Sequence, residues 1–232
     1  MKTVAIIPAG GLGKRMGSGL SKQYLMLDGV PILVHTLRKF EGTPIINNVI
    51  LVVPEDYIEY SRREIVEKYR LSKVGPVLAG GEKRQDSVKR GIDTVGDDAD
   101  IVVIHDGVRP FISENLINVS VIKALEERAV TLGVPVLDTV KSVDNDGLIE
   151  KTVDRKYLWL TQTPQTFKRE IIKIAYQKAY EDNFYGTDDA ALVERTGIKV
   201  RMIMGSHDNI KITNPEDLAI GEGIIERLKV KG

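Results

Sequence analysis

At 232 residues, with 33 Lys and Arg balanced by 33 Asp and Glu, the chain is long enough for a substantial core and carries no net field to recruit nucleic acid or an anionic membrane. It has no cysteine and three scattered histidines, which excludes a disulfide framework, thiolate metal sites and a histidine-rich metal centre; any bound metal must be a hard, oxygen-preferring ion. No apolar run approaches the ~20 residues that span a bilayer and no charged leader precedes an apolar core, so the expectation is one cytoplasmic domain over residues 1–232.

The first predicted element is an apolar strand at 4–7. It empties through Pro8 and Ala9 into Gly10-Gly11-Leu12-Gly13-Lys14-Arg15-Met16-Gly17, and Ser21-Lys22-Gln23-Tyr24 follows shortly after. Successive glycines let backbone N–H groups approach a polyanion without Cβ interference, and Lys14, Arg15 and Lys22 supply the charge that a nucleoside triphosphate requires. The loop is not a Walker A motif, because no glycine stands five positions before Gly13 and Arg15 occupies the place of the magnesium-binding hydroxyl. Nor is it a full dinucleotide fingerprint, since Met16 replaces the third glycine, which argues against a dinucleotide-dependent oxidoreductase.

Helical patterns at 31–40, 57–69, 84–95 and 113–128 then alternate with apolar β-rich runs at 49–53, 74–79, 101–105 and 134–137. Near-continuous apolar strands fit a mostly parallel sheet covered by helices on both faces. Pro31 suits a first helical turn and Ser113 an N-cap. The strand at 74–79 ends in Gly80-Gly81-Glu82-Lys83-Arg84-Gln85-Asp86-Ser87, a glycine turn whose backbone groups could read a base edge, or an ordinary helix start. The strand at 101–105 ends in His105-Asp106-Gly107-Val108-Arg109-Pro110. Asp106 is placed there to hold a divalent cation bridging phosphates while Arg109 forks onto a phosphate, the bland alternative being a surface ion pair. His105 reads as structural, because no second histidine is near it.

After 137 the alternation breaks. Two segments, 138–143 and 148–153, flank Asp144-Asn145-Asp146-Gly147 and read as a β-hairpin with few large apolar residues, an arm over 138–155 that projects and docks on a second subunit. The chain returns over 157–167, with a helix at 168–181, a shorter helix after Thr187, which could simply cap it, a strand at 199–204 and a terminal helix started by Asn214-Pro215-Glu216-Asp217. Thr139, Arg155, Thr163, Thr187 and Lys211 supply the hydroxyls and cations that a second anionic substrate would need.

Taken in order, Ala9-Gly10-Gly11-Leu12-Gly13-Lys14-Arg15-Met16, Lys22-Gln23-Tyr24, Asp86-Ser87-Val88, His105-Asp106-Gly107-Val108-Arg109-Pro110, Thr152-Val153-Asp154-Arg155, Thr163-Pro164-Gln165, Thr187-Asp188 and Asp208-Asn209-Ile210-Lys211 resemble the 2-C-methyl-D-erythritol 4-phosphate cytidylyltransferase family over nearly the whole chain. The resemblance implies a Rossmann-like nucleotidyltransferase fold: an α/β protein with a mostly parallel twisted sheet and a projecting hairpin. It implies cytidylyl transfer from CTP to the methylerythritol phosphate with release of pyrophosphate, a requirement for Mg2+, and a homodimer whose arms complete each other's sites. It also implies roles: Arg15 and Lys22 stabilise the transition state, and Arg155 and Lys211 position the acceptor. Asp106, Arg109, Thr139, Thr163 and Thr187 contact the acceptor, and Pro8, Ala9, Gly10, Gly11, Gly13, Gly81, Glu82 and Ser87 hold CTP, with Asp106 the metal ligand. Members of the family often have proline before Lys-Gln-Tyr, where this chain has Ser21. The alternatives are a cytidylyltransferase for another polyol phosphate, such as ribitol 5-phosphate, against which the Thr-Val-Asp-Arg segment speaks, and a nucleotide-binding module without turnover.

Overall fold

A computed structural model describes residues 1–10 and 21–231. The apolar run after Lys2 forms β1 (Thr3–Pro8), and Lys22–Tyr24 make one 3-10 turn. A short hairpin follows, β2 (Met26–Leu27) against β3 (Val30–Pro31), turned through Asp28 and Gly29, both at positive φ. It was not foreseen, and it moves Pro31 from the first helical turn to the N-cap of α1 (Ile32–Gly42). Beyond β4 (Asn48–Val53), the helix expected over 57–69 is broken into a 3-10 turn, a short α2 (Ile58–Tyr60) and a π-helix (Ser61–Glu67). Next come β5 (Val74–Ala79), α3 (Arg84–Thr94), β6 (Ile101–Ile104) and α4 (Glu114–Glu127), the last capped by Ser113, whose side chain accepts from the Leu116 N–H at 3.2 Å.

The largest boundary difference is at β7 (Ala129–Pro135), which starts five residues before the expected 134. Arg128 turns the chain from α4 into it at φ 73°, leaving no linker to mark the start. The arm is β8 (Val140–Val143) and β9 (Ile149–Val153), paired antiparallel with Val140 opposite Val153. After it run β10 (Trp159–Lys168), α5 (Arg169–Glu181), α6 (Asp189–Glu194), β11 (Arg201–Met204) and α7 (Pro215–Lys231). Asp188, not Thr187, caps α6, accepting from the Ala191 N–H at 2.9 Å.

Among the described residues, seven strands form one sheet in the order β11-β7-β10-β6-β1-β4-β5. β10 runs antiparallel to both its neighbours, while the pairs β5–β4, β4–β1, β1–β6 and β11–β7 are parallel. Side chains alternate across each strand, so Ala5, Ile7, Leu51 and Val103 pack with α1 and α4 on one face, while Val4, Ile6, Val52 and Ile104 pack with α3 and α5 on the other. Burial on both faces is why these strands are apolar without a break. The order reverses at β1, with β4 on one side and β6 on the other, and such a switch point leaves a crevice beyond the carboxyl ends of the strands. The loops after β1, β4, β5, β6, β7 and β11 all emerge at that end.

Candidate active site

Two adjoining cavities open at the switch point, one of about 800 Å³ and one of about 290 Å³, within or near the range of small-molecule sites. They share Arg84, Asp106 and Lys211 as a common wall.

The larger cavity is built from the ends of β1, β4 and β5. Its lining includes Pro8, Ala9, Gly10, Lys22, Gly81, Glu82 and Ser87, which the sequence assigns to nucleotide or transition-state binding. Ser87 fixes the turn before α3: its Oγ accepts from the Gly81 N–H at 3.1 Å and donates to the Lys83 carbonyl at 3.2 Å. A Cβ on Gly81 would lie 2.3 Å from that of Asp86, so this turn closes only around glycine. Lys22 projects from the 3-10 turn that Tyr24 anchors, through a 2.7 Å hydrogen bond between Tyr24 Oη and Ser61 Oγ and a ring stacked on Tyr57 at 5.1 Å. Arg15, Gly11 and Gly13 lie outside the described residues.

Asp106, just beyond β6, is the centre of the shared wall. Its backbone N–H donates to Thr163 Oγ1 at 3.1 Å; Arg84 Nε donates to its Oδ1 at 2.9 Å, and Lys211 Nζ lies 2.8 Å from its Oδ2, with Arg109 Nε 3.9 Å from the same oxygen. Burial opposes the negative charge, but Arg84, Lys211 and Arg109 outweigh it and hold the carboxyl well below the usual carboxylate range. The side chain is 9 % exposed, so this is not the solvated surface pair of the bland reading.

His105 is the structural residue its sequence context suggests. It is fully buried, with Nδ1 3.1 Å from Thr163 Oγ1 and Nε2 3.1 Å from the Arg109 carbonyl. A neutral ring carrying its proton on Nε2 satisfies all these partners, and burial lowers its pKa to about 4.

The smaller cavity is lined by Arg109, Thr163 and Thr187 together with the shared Asp106 and Lys211. Lys211 is carried by the loop after β11, which is tied to β10 by Gln162: its Nε2 donates to the Ser206 carbonyl at 2.7 Å, and its Oε1 accepts from Asn209 Nδ2 at 3.2 Å. Arg109 Nη1 donates to the Asn209 carbonyl at 2.7 Å and closes the same loop from the other side.

Thr139 and Arg155 stand apart. Both are exposed on the arm and line neither cavity, and Arg155 Nη1 donates to the Leu137 carbonyl at the arm's base. Asp106 is the residue that would hold a metal ion here. Among the described residues no three acidic, histidine or cysteine side chains gather round one point, and the ionised carboxylate in the wall shared by both cavities is that of Asp106. That fits Mg2+, which commonly takes one or two carboxylates and completes its shell with substrate phosphates and water.

Arg84 is the residue for which the sequence reading had no role. It lines both cavities, and its partners Asp106 and Asp189 lie 22 and 105 residues away, so no local pattern announces it. Its place on the first turn after the Gly80-Gly81 bend was the available signal.

A model of the family described as 2-C-methyl-D-erythritol 4-phosphate cytidylyltransferase (IspD) matches residues 3–227. The chain is 49% identical over 226 residues to the 2-C-methyl-D-erythritol 4-phosphate cytidylyltransferase of Syntrophus aciditrophicus (strain SB), covering 97% of each sequence. It is 46% identical to the protein of that name from Alkaliphilus metalliredigens (strain QYMF), covering 98% of this chain and 95% of the relative. The crystal structure of 4-diphosphocytidyl-2C-methyl-D-erythritol synthase from Anaerococcus prevotii DSM 20548 superposes with a TM-score of 0.85 at 33% identity, covering 97% of this chain and 96% of that one.

Proposed function

The chain belongs to the 2-C-methyl-D-erythritol 4-phosphate cytidylyltransferase family, and from that premise we infer how its residues carry out the family's reaction. The enzyme transfers a cytidylyl group from CTP to 2-C-methyl-D-erythritol 4-phosphate, giving 4-diphosphocytidyl-2-C-methyl-D-erythritol and pyrophosphate, a step of non-mevalonate isoprenoid biosynthesis. The observation that carries the residue assignment is the pair of cavities with one cationic wall between them.

CTP occupies the larger cavity, its base against Gly81, Glu82 and Ser87 and its phosphates against Ala9, Gly10 and Lys22. The acceptor's phosphate occupies the smaller one, among Arg109, Thr163, Thr187 and Lys211. A phosphate oxygen of the acceptor forms the new bond to the α-phosphorus of CTP as the bond to the β-phosphate oxygen breaks, and the electron pair leaves with pyrophosphate. The attacking phosphate is already an anion near neutral pH, so no base has to take a proton. What the site must supply is neutralisation and alignment of two anions that repel each other. Lys22 does this on the nucleotide side and Lys211, which lines both cavities, on the acceptor side, while the family resemblance gives Arg15 the same transition-state role as Lys22.

Mg2+, with Asp106 as its protein ligand, supplies further neutralisation of the triphosphate when bound. A chelator is therefore expected to abolish turnover and added Mg2+ to restore it; full activity after removal of divalent cations would remove Asp106 from that role. Arg155 and Thr139 complete the acceptor site of a second subunit in a homodimer. The exposed apolar side chains along and below the arm support this, with Leu137 66%, Leu148 67%, Ile149 64% and Tyr157 77% exposed. Pyrophosphate release with CTP and each candidate acceptor tests the whole reading, and ribitol 5-phosphate is expected to give little.

A further inference from the structure

Behind the shared wall lies a chain of buried polar groups that the reaction as described does not use. Asp189, at the start of α6, is 1% exposed and receives both ends of the Arg84 guanidinium, Nη1 to Oδ1 at 3.2 Å and Nη2 to Oδ2 at 2.8 Å. Tyr176 Oη, also buried, donates to the same Oδ1 at 2.5 Å. The remaining edge of the guanidinium sends Nε to Asp106. Arg84 is thus gripped by two carboxylates from different elements. Its own backbone is set by the start of α3, where the Lys83 N–H donates to Asp86 Oδ2 at 2.9 Å.

The other close partner of Asp106 is held differently. Lys211 meets the carboxylate through one nitrogen on a flexible stem and is 37% exposed, so it can leave for a phosphate. Arg84 cannot follow without abandoning the buried Asp189 charge, which is expensive to leave unpaired. When Lys211 swings away, Arg84 keeps Asp106 in place.

We propose that Arg84 is a positioning residue for cytidylyl transfer: clamped from behind by Asp189 and Tyr176, it fixes the Asp106 carboxylate in the wall between the cavities, so that nucleotide and acceptor are both placed against one reference. The inference rests on assigning the two cavities to CTP and to the methylerythritol phosphate.

The test compares Arg84→Lys, Asp189→Asn and Tyr176→Phe with the parent enzyme, measuring kcat, KM for each substrate, and Tm. Arg84→Lys keeps the charge but not the three-way fork, so it is not expected to rescue. We expect kcat/KM to fall on the order of a hundredfold, with KM raised for both substrates. Tyr176→Phe touches neither cavity and removes one hydrogen bond, so a loss of the same kind but only several-fold is expected, on the order of the effect of one such bond. Should Arg84→Lys fail to fold, Tyr176→Phe decides. Folded variants with kcat/KM within about twofold of the parent overturn the proposal, including any in which Tm alone falls, the mark of a purely structural clamp. A parent that releases no pyrophosphate overturns the cavity assignment first, whereas an active parent with kinetically silent variants overturns the positioning role alone.

Discussion

The carboxyl end of the sheet and the arm that leaves it are built on opposite principles. At the sheet end, His105, Asp106, Thr163 and Asp189 are buried, and each is tied to residues from other elements by hydrogen bonds or ion pairs. From 138 to 155 no residue is buried. The arm is organised by its own backbone and by local contacts: Asp144 Oδ1 accepts from the Asp146 and Leu148 N–H groups at 3.0 and 2.9 Å, Gly147 adopts φ 82°, and Lys141 Nζ donates to Thr152 Oγ1 at 2.6 Å. A two-stranded ribbon of this kind is marginal by itself in water. The contrast teaches that the two halves of the proposed site are organised by different means, one by the core of its own chain and the other by local contacts that a docked second subunit would have to complete.

The sharpest way to break the comparison is to strike the sheet end without disturbing the fold. Lys22→Ala is expected to reduce kcat on the order of a hundredfold or more while the protein stays folded, because Lys22 lines the cavity and the packing of its turn is carried by Tyr24. Arg15→Ala should behave alike. Retained turnover in either variant, measured by pyrophosphate release, would detach that cation from the α-phosphate.

The arm is struck next, by complementation. In the proposed homodimer, Arg155→Ala protomers mixed with Lys22→Ala protomers would give heterodimers in which, if the arm serves its partner, one of the two sites has both an intact sheet end and an intact arm. Random mixing should then recover about a quarter of the parent activity, as two-fold symmetry dictates. Verified heterodimers with no recovery would place the arm in the site of its own chain.

How far the sequence reached follows the same division. The strands of the sheet were legible because burial on both faces leaves them apolar throughout, and 74–79 was placed to the residue. β7 was placed late, because Thr131 and Gly133 interrupt its apolar run and no turn residue precedes it. Among the described residues, the candidates on the strand-end loops, Thr139 excepted, line the two cavities, since the topology delivers those loops to one place whatever their separation in the chain. Arg84 and Asp189 were not legible as a pair. Their bond depends on α3 and α6 both packing on α5, and neither residue has a sequence neighbour that requires the other. The hairpin was readable from Asp144-Asn145-Asp146-Gly147, but the proposed docking on a second subunit is not encoded within one chain's local pattern.

A smaller effect distinguishes docking from intrinsic arm stability. Replacing the exposed pair Leu148 and Ile149 by serine leaves the sheet core untouched and should not change Tm of that core. If the arm is ordered by a second copy, activity becomes more dependent on protein concentration, falling several-fold on dilution and returning at high concentration, as mass action requires. Activity independent of concentration in both parent and variant would mean the arm is held without a partner.

The finest test probes what holds the sheet end together. Burial keeps His105 neutral and lowers its pKa to about 4 from an ordinary 6.5. Between those values the unfolded chain binds a proton that the folded chain refuses, so the contribution of His105 to stability is complete above 6.5 and is lost as pH falls toward 4. Asp106 acts in a lower window: its carboxyl is held below the ordinary 3.8, so its contribution stands above that value and disappears as the pH falls further. His35, whose pKa burial also lowers, adds to the upper window, and a single melt cannot separate the two. The measurement is therefore a difference between the parent and His105→Gln, melted at about pH 7.5 and about pH 5.5. Over that interval the parent should lose about 1 kcal/mol more than the variant, a Tm difference of roughly 3 °C for a chain of this size. An equal loss in both would mean that His105 does not hold the Thr163 and Arg109 contacts as a neutral ring, and the buried frame beneath Asp106 would have to be reassigned.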